Sequence, residues 1–449
     1  MKKLIMSSLT VASLLLVGCG GTTNEASTKS GGHNGLDSTA STTTTRAYFG
    51  DKVNNLVVVV DVDNMKLLES IATGHEVSYA AEVIKTKATK HAVNPKLYVD
   101  NRGSNFIDVL DSATNTIIKS IPLKFYPRSI AVQERTGLVA VSGTNKAMTA
   151  IIDSTTDTVI ATVGNDVVTQ PTTSGHSYVS SGTLASGHPH WLDENHFVLI
   201  DRQNKKIDTY KLTKNSDGTW STSLVNSLAT SSPVHNLIPP EIHGQKHSHV
   251  NATIFYATGE GSTGVYPSIL KLTFTADEGL SLSEELPLKA SGFTADQMGI
   301  HHLNFLKDQK TIYAGSHEGT LFVIDYTTTP MRVMKTEKAG IGAGHADEMK
   351  HNKLAVIINH KDTFITLMNT SNHTKIADIK VSELTTITGQ SQSHPKYHFS
   401  KDGRYFYLFL TEEGALVKVD LTEKKVVERL EIGGELAMGS FVENKSGHN

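Results

Sequence analysis

The sequence predicts an all-β chain folded as a single closed β-propeller of four-stranded blades, and three observations carry that expectation. Short β-branched runs separated by Asp, Asn, Gly and Thr turns recur along the chain. Long helical periodicity is absent. The runs also repeat in one order, at spacings of roughly 40 to 60 residues that suit propeller blades. In the first repeat, Ala47-Tyr-Phe-Gly is followed by Leu56-Val-Val-Val-Val-Asp61, a tight turn, and a strand ending at Ile71. The order returns over Leu97 to Ile121 and Leu138 to Val163, then from Phe197, Ile254, Ile312, Leu354 and Tyr405. Several copies are preceded by a further strand, such as Pro127-Arg-Ser-Ile-Ala-Val132. The count favours eight blades, with seven as the alternative if the weak fifth repeat is an excursion. Glu435 to Val442 reads as the innermost strand that the first repeat lacks, so pairing of the chain ends would close the ring and remove an exposed sheet edge.

The N-terminus has a different character. Lys2 and Lys3 precede an apolar run through Leu14, Leu15 and Leu16, and Leu16-Val17-Gly18-Cys19 has the form of a lipobox. Residues 1–19 therefore read as a lipoprotein signal peptide, with Cys19 as the point of lipidation. The apolar stretch falls well short of the roughly 20 residues that a spanning helix needs. Cys19 is the single cysteine, which excludes disulfides and thiolate metal clusters. Residues 20–46, rich in Gly, Ser, Thr and Asn, form a flexible tether; the propeller is expected over 47–443 and a tail over 444–449. The expected location is lipid-anchored beyond the inner membrane. By resemblance to Gram-negative lipoproteins, Gly20 after the cysteine favours the outer membrane, facing the periplasm or the cell surface. A net charge of −3, pI near 6.7 and the lack of a Lys/Arg run argue against nucleic acid as a partner.

Histidine is the residue that repeats with the blades. The clusters are Gly187-His188-Pro189-His190-Trp191, His243-Gly-Gln-Lys-His247-Ser-His249, Gly299-Ile-His301-His302, Gly342-Ala-Gly344-His345 and Ser393-His394-Pro395-Lys-Tyr-His398. Each lies a few residues before an expected strand. In a propeller the loop leading into each innermost strand borders the central channel, so His188, His190, His301, His302, His345, His394 and His398 are expected to converge there. Neutral imidazole is the commonest protein ligand for zinc and copper, and without thiolates the site would be nitrogen-rich. Asp347 or Glu348 could add an oxygen ligand. His247 and His249, spaced to face one side of an extended segment, form a separate chelating pair for which Glu241 or Glu260 competes. His317 and His360 share another position, the turn after the second strand, as supporting or ligating residues. His33, His91, His196, His351, His373 and His448 read as surface or loop residues. Taken singly, a Gly-His or His-Pro pair is ordinary turn chemistry; its return in successive blades is what points to metal.

Other catalytic patterns are weak. Ser142-Gly-Thr and Gly261-Ser-Thr-Gly264 lack the strand-to-helix elbow of a hydrolase nucleophile. Thr258-Gly-Glu-Gly-Ser-Thr-Gly264 has no lysine and no following helix to hold phosphate.

The Leu97 to Ile121 repeat and the Ser400-Lys-Asp-Gly-Arg404 turn resemble the YVTN or YncE-like β-propeller repeats, and the resemblance covers nearly everything after the tether. It implies the fold and says little about activity. The His301-His302 pair, with single histidines on later blades, is similar in kind to the copper clusters of nitrous oxide reductases and thiocyanate dehydrogenases. The electron-transfer domain of the reductases, with its cysteines, has no counterpart here. Periplasmic zinc chaperones built on propellers are the second likeness, with His33 a sparse equivalent of their His-bearing tails.

These readings converge on an envelope lipoprotein, monomeric, binding copper in preference to zinc at an axial multi-histidine site. Its role would be metal binding or delivery, with a metal-transfer or electron-transfer protein as partner, or small-molecule redox chemistry by a copper-dependent oxidoreductase. The alternatives are a metal-free propeller acting as an interaction platform in the envelope, and a hydrolase or lyase using channel His and carboxylates as acid and base.

Overall fold

The computed structural model describes residues 44–73, 78–84, 96–133, 135–168, 184–240, 252–349, 353–392 and 398–444. Eight antiparallel sheets of four strands each succeed one another around a ring. The first blade joins Thr44–Asp51, Leu56–Asp61 and Lys66–Ala72 to the C-terminal strand Leu436–Asn444. Blades two to eight use consecutive strands over 78–122, 127–168, 190–229, 234–287, 300–338, 343–380 and 398–431. The fifth repeat is a complete blade, from Val234–Ile238 to Gly279–Pro287, which settles eight over seven. Helix among the described residues amounts to the short turn Ala295–Gln297.

The repeating sequence explains the repeating strands. Second strands such as Lys96–Asn101 and Leu354–Asn359 and third strands such as Leu56–Asp61, Phe106–Asp111 and Phe364–Asn369 are largely apolar and buried on both faces. The outer strands, such as Lys66–Ala72 and Lys425–Glu431, are largely exposed, which makes the other edge of each sheet the inner one. The acidic or amide residue closing the third strand turns the chain: Asp111 Oδ1 accepts from Ala113 N, Asp153 Oδ1 from Thr155 N and Asp420 Oδ1 from Thr422 N. Such side chains mimic a backbone turn. The next strand is then approached through a left-handed residue, Asn115 at φ 53°, Asp157 at 52° and His373 at 56°. His373 is thus a turn residue, its Nδ1 3.0 Å from the Tyr313 hydroxyl.

An apolar cluster lies at every blade boundary, and the ring is closed by the same means. Val58 and Phe49 of blade one meet Leu416 and Phe409 of blade eight, while Tyr48 and Val57 meet Leu97 and Val99 of blade two. Phe49 stacks on Phe409 with ring centroids 3.8 Å apart, and Phe441 of the closing strand packs edge-on to Phe49. Thr44 pairs with Asn444 and Ala47 with Phe441, so the described strand Thr44–Asp51 includes three residues ahead of Ala47. Polar Thr44, Thr45 and Arg46 show no apolar alternation; their backbone pairing with the last strand recruits them.

A chain ending at Gly434 loses the strand paired with Thr44–Asp51 and exposes its hydrogen-bonding edge. Such a chain should melt at lower temperature and self-associate, as read by calorimetry and size-exclusion chromatography. An unchanged melting temperature would show that the last strand does not secure the ring.

Candidate metal centre

Innermost strands and the turns after second strands bring histidines of four consecutive blades together. His188 precedes the inner strand His190–Trp191 of blade four, and His235 lies on Val234–Ile238 of blade five. His301 and His302 lie on Ile300–Phe305 of blade six, and His345 on Ala343–Glu348 of blade seven. His317 and His360 follow the second strands Thr311–Ser316 and Leu354–Asn359. The rings form a continuous chain of contacts: His188 to His235 at 4.8 Å between centroids, His235 to His301 at 4.2 Å, His302 to His345 at 4.1 Å and His345 to His360 at 5.0 Å. His317 joins through His301 at 6.1 Å.

Within this chain His188, His235 and His302 each present a ligand atom, all within 4.8 Å of one another. His188 Nε2 and His235 Nε2 are 3.1 Å apart. Two nitrogens each about 2.05 Å from one tetrahedral ion stand about 3.3 Å apart. The spacing therefore fits shared coordination.

Partners outside the group decide which nitrogen carries the proton. His235 Nδ1 lies 2.8 Å from Glu260 Oε1, and an ionised carboxylate only accepts, so Nδ1 is the donor and Nε2 keeps its lone pair. Arg128 Nη2, 3.4 Å from the same Nδ1, is then a neighbour and not a partner. Glu260 is steadied in turn by a buried ion pair with Arg202. On blade seven the Gln392 carbonyl accepts from His360 Nδ1 at 3.0 Å, and His360 Nε2 accepts from His345 Nδ1 at 2.8 Å. That relay leaves the lone pair of His345 on Nε2. His302 Nδ1 is 2.9 Å from the Asn236 amide nitrogen, whose oxygen accepts from Thr258 Oγ1. Turning the amide over lets Nδ1 donate to oxygen while Thr258 Oγ1 donates to the His301 carbonyl, so the same heavy atoms accommodate the His302 tautomer with its lone pair on Nε2. Orientation of this kind characterises ligating histidines.

The glycines beside the histidines are spacers. A Cβ on Gly344 would stand 2.9 Å from His360 Cδ2, one on Gly299 2.9 Å from His317 Nδ1, and one on Gly187 2.7 Å from the His235 carbonyl. His188 N donates to that carbonyl at 2.8 Å, tying blade four to blade five.

Burial disfavours the charged form of four of these imidazoles, His188, His235, His345 and His360. His235 is pushed well below the usual imidazole range by burial first, then by His301, Arg128, His188 and Arg202. His188, partly exposed but ringed by protein, is lowered by burial and then by Arg128, Arg102 and Arg202. His345 is lowered by burial and by His360, and His360 to about 4 by burial.

The expected residues divide as follows. His188, His301, His302 and His345 are brought together, and His317 and His360 join them from the second shared position. His190 instead packs edge-on against Phe255 at 5.8 Å, because it lies on the strand beyond His188 and faces the neighbouring blade. His398 stacks on Phe441 at 5.4 Å beside Tyr407, drawn into the blade-eight to blade-one boundary. The three-histidine group takes in neither Asp347 nor Glu348; Glu348 accepts from Lys307 N at 2.6 Å and from Thr370 Oγ1 at 2.9 Å. His247, His249, His394 and Cys19 lie outside the described residues, and Glu260 serves His235. His235 itself is absent from the sequence expectation. Fifteen residues separate Val234–Ile238 from the second strand Ile254–Gly259, so His235 does not stand a few residues before that strand as the other clusters do.

The chain is thus a β-propeller carrying three close histidines that could hold a metal ion. No family model matches it, and no curated protein does. Among solved structures it is similar to dihydro-heme d1 dehydrogenase NirN in complex with DHE, at a TM-score of 0.62 and 12% identity over 90% of this chain and 75% of that one. It is also similar to AztD of Citrobacter koseri, at 0.55 and 11% over 91% of this chain and 100% of that one. At such identities the likeness is one of fold.

Two outcomes follow. Unfolded histidine titrates near 6.5 whereas His360 in the fold stays neutral down to about 4, so over that interval the unfolded chain binds more protons. The metal-free protein should therefore lose stability as pH falls from about 6.5 towards about 4, measured by the melting temperature in a pH series; a flat profile would contradict neutral burial. Gly344→Ala should displace His360 from His345 and cost about 1–3 kcal/mol in thermal or urea denaturation.

Proposed function

We propose that this is an envelope lipoprotein whose propeller holds a transition metal through His188, His235 and His302, with His301 and His345 adjoining, for metal binding and delivery or small-molecule redox chemistry. The observation that carries the reading is the pair of Nε2 atoms 3.1 Å apart, one of them with its proton placed on the far nitrogen by Glu260. In the metal-free protein His188 Nε2–H donates to His235 Nε2; to offer that nitrogen to a metal, His188 would carry its proton on Nδ1 instead, the ring staying neutral with no net proton released. Copper(II) is favoured over zinc because a neutral nitrogen donor set binds divalent metals in the order that places copper highest. A bound copper ion would polarise a small ligand or exchange an electron. The chain's own part is to hold the imidazoles neutral, aim their lone pairs and keep the site enclosed.

Lipid attachment at Cys19, a location at the outer membrane and a metal-transfer or electron-transfer partner belong to the same reading, supported by the lipobox and the tether. A kinship with copper-bearing propellers would make the activity that of an oxidoreductase. YVTN-type repeats would account for the Asp-capped turns.

The test is metal analysis of protein purified without a nickel column, after addition of copper or zinc and removal of the excess. Retention near one ion per chain is expected, with a visible band for copper and none for zinc, whose d-shell is filled. His188→Ala, His235→Ala and His302→Ala should each reduce retention at least tenfold, while His373→Ala should leave it unchanged. Failure of the wild type to retain either metal would remove the proposal.

A further inference from the structure

Blade five supplies one histidine of the group and backs two of them. His235 and Asn236 are neighbours on its inner strand Val234–Ile238, while Thr258 lies on the second strand Ile254–Gly259 and Glu260 follows it. Asn236, Thr258 and Glu260 are all buried. Glu260 and Asn236 meet their histidines at the same ring atom, Nδ1, at 2.8 Å for His235 and 2.9 Å for His302. Both rings therefore turn Nε2 towards the group.

The two partners differ in what they permit. An ionised carboxylate only accepts, so Glu260 holds the His235 proton on Nδ1 in every state of the site. An amide carries an acceptor on one arm and a donor on the other, and Asn236 is satisfied either way round. With its nitrogen towards His302, Nδ1 accepts, the ring proton lies on Nε2, and Thr258 Oγ1 donates to Asn236 Oδ1 at 2.6 Å. With the amide turned, its oxygen accepts from His302 Nδ1–H, its nitrogen donates to Thr258 Oγ1, and the hydroxyl hydrogen goes to the His301 carbonyl at 3.2 Å. The Thr258 hydroxyl can rotate, which lets it serve both settings.

Empty and loaded sites need opposite settings. The ligand atoms of His188, His235 and His302 lie within 4.8 Å of one another. Lone pairs aimed at one another in a group shielded from water repel, so hydrogen on some of these nitrogens steadies the empty site, as between His188 and His235 at 3.1 Å. A metal needs a lone pair on each. A carboxylate behind His302 would lock that ring in the loaded arrangement, whereas the amide serves both.

We propose that Asn236 is a positioning residue for the metal group, its amide turning over on loading so that the His302 proton sits on Nε2 in the empty site and on Nδ1 in the occupied one. This rests on the metal reading above. The ring is neutral in both states, since its proton leaves one nitrogen and returns to the other, and the turn changes no net charge. Asn236 thus regulates how tightly the site holds its ion. Partners behind a ligating histidine typically alter metal affinity by about 10–100-fold.

The experiment uses the full chain with isotopically labelled histidine, empty and then loaded with zinc, whose filled d-shell leaves magnetic resonance spectra sharp. Ring-nitrogen shifts, assigned by the signal missing from His302→Gln, should place the His302 proton on Nε2 without zinc and on Nδ1 with it. His235 should carry its proton on Nδ1 throughout and serves as the internal reference. Zinc affinity, read by competition with a chromophoric chelator in mildly alkaline buffer, should fall at least tenfold in Asn236→Leu. Asn236→Asp, whose carboxylate only accepts, should keep the His302 proton on Nδ1 even without zinc and bind at least as tightly as the wild type. Asn64→Leu, which removes an amide bonded to Asp61 in an exposed turn, should bind as the wild type does. A His302 proton on the same nitrogen with and without zinc would overturn the proposal, even where Asn236→Leu does not fold. Equal affinity in wild type and Asn236→Leu, or equal weakening by Asn236→Leu and Asn236→Asp, would also overturn it and leave the metal site standing. Failure of the wild type to take up zinc would instead overturn the metal reading on which it rests.

Discussion

Desolvation around the axis is the constraint on which the site depends. An imidazole enclosed by protein cannot take up a proton cheaply, and His188, His235, His345 and His360 are all held in the neutral form that can offer a lone pair. Neutrality alone does not aim that pair. Glu260 does so for His235, and the Gln392 carbonyl does so for His345 through His360. Acceptors behind the histidines thus turn a crowd of similar rings into a set with assigned donors.

Such assignment needs a rigid frame, and the frame is the closed ring. Each blade shares an apolar cluster with the next, and the pairing of Thr44–Asp51 with Leu436–Asn444 leaves the first blade no weaker than its neighbours. Close approach at the axis is possible because Gly187, Gly299 and Gly344 leave room where a side chain would strike a histidine of the same or the next blade. The Gly-His pairs noticed in the sequence are therefore a packing device as well as a ligand signal.

Much of this was legible in advance, for a definable reason. Repeat order, blade number and the closing strand follow from local patterns, each written within one stretch of chain. The convergence of His188, His301, His302 and His345 followed from placing them at one repeat position. Failures arose where that position was obscured or where side-chain direction decided the matter. His235 was hidden by the long separation of its strand from the next, and His190 and His398 occupy strands whose rings turn to Phe255 and Phe441. Glu260, read as a rival for a nearby histidine run, proved to be the residue that orients one of the three. Arg102, Arg128 and Arg202 drew no notice, because an isolated arginine in a β-rich sequence carries no signal until its neighbours in space are known.

The amino-acid order by itself determined the architecture, since strand periodicity, Asp-capped turns and complementary chain ends are properties of residues close in the chain or of simple pairing. It also determined that the nitrogen-rich site would lie on several blades. Which histidines face one another, which nitrogen of His235, His345 and His360 bears the proton, and the approach of Arg128 to His235 were decided only by the tertiary structure. These depend on angles and distances between residues from different blades, and a contact across the ring leaves no local pattern in the sequence.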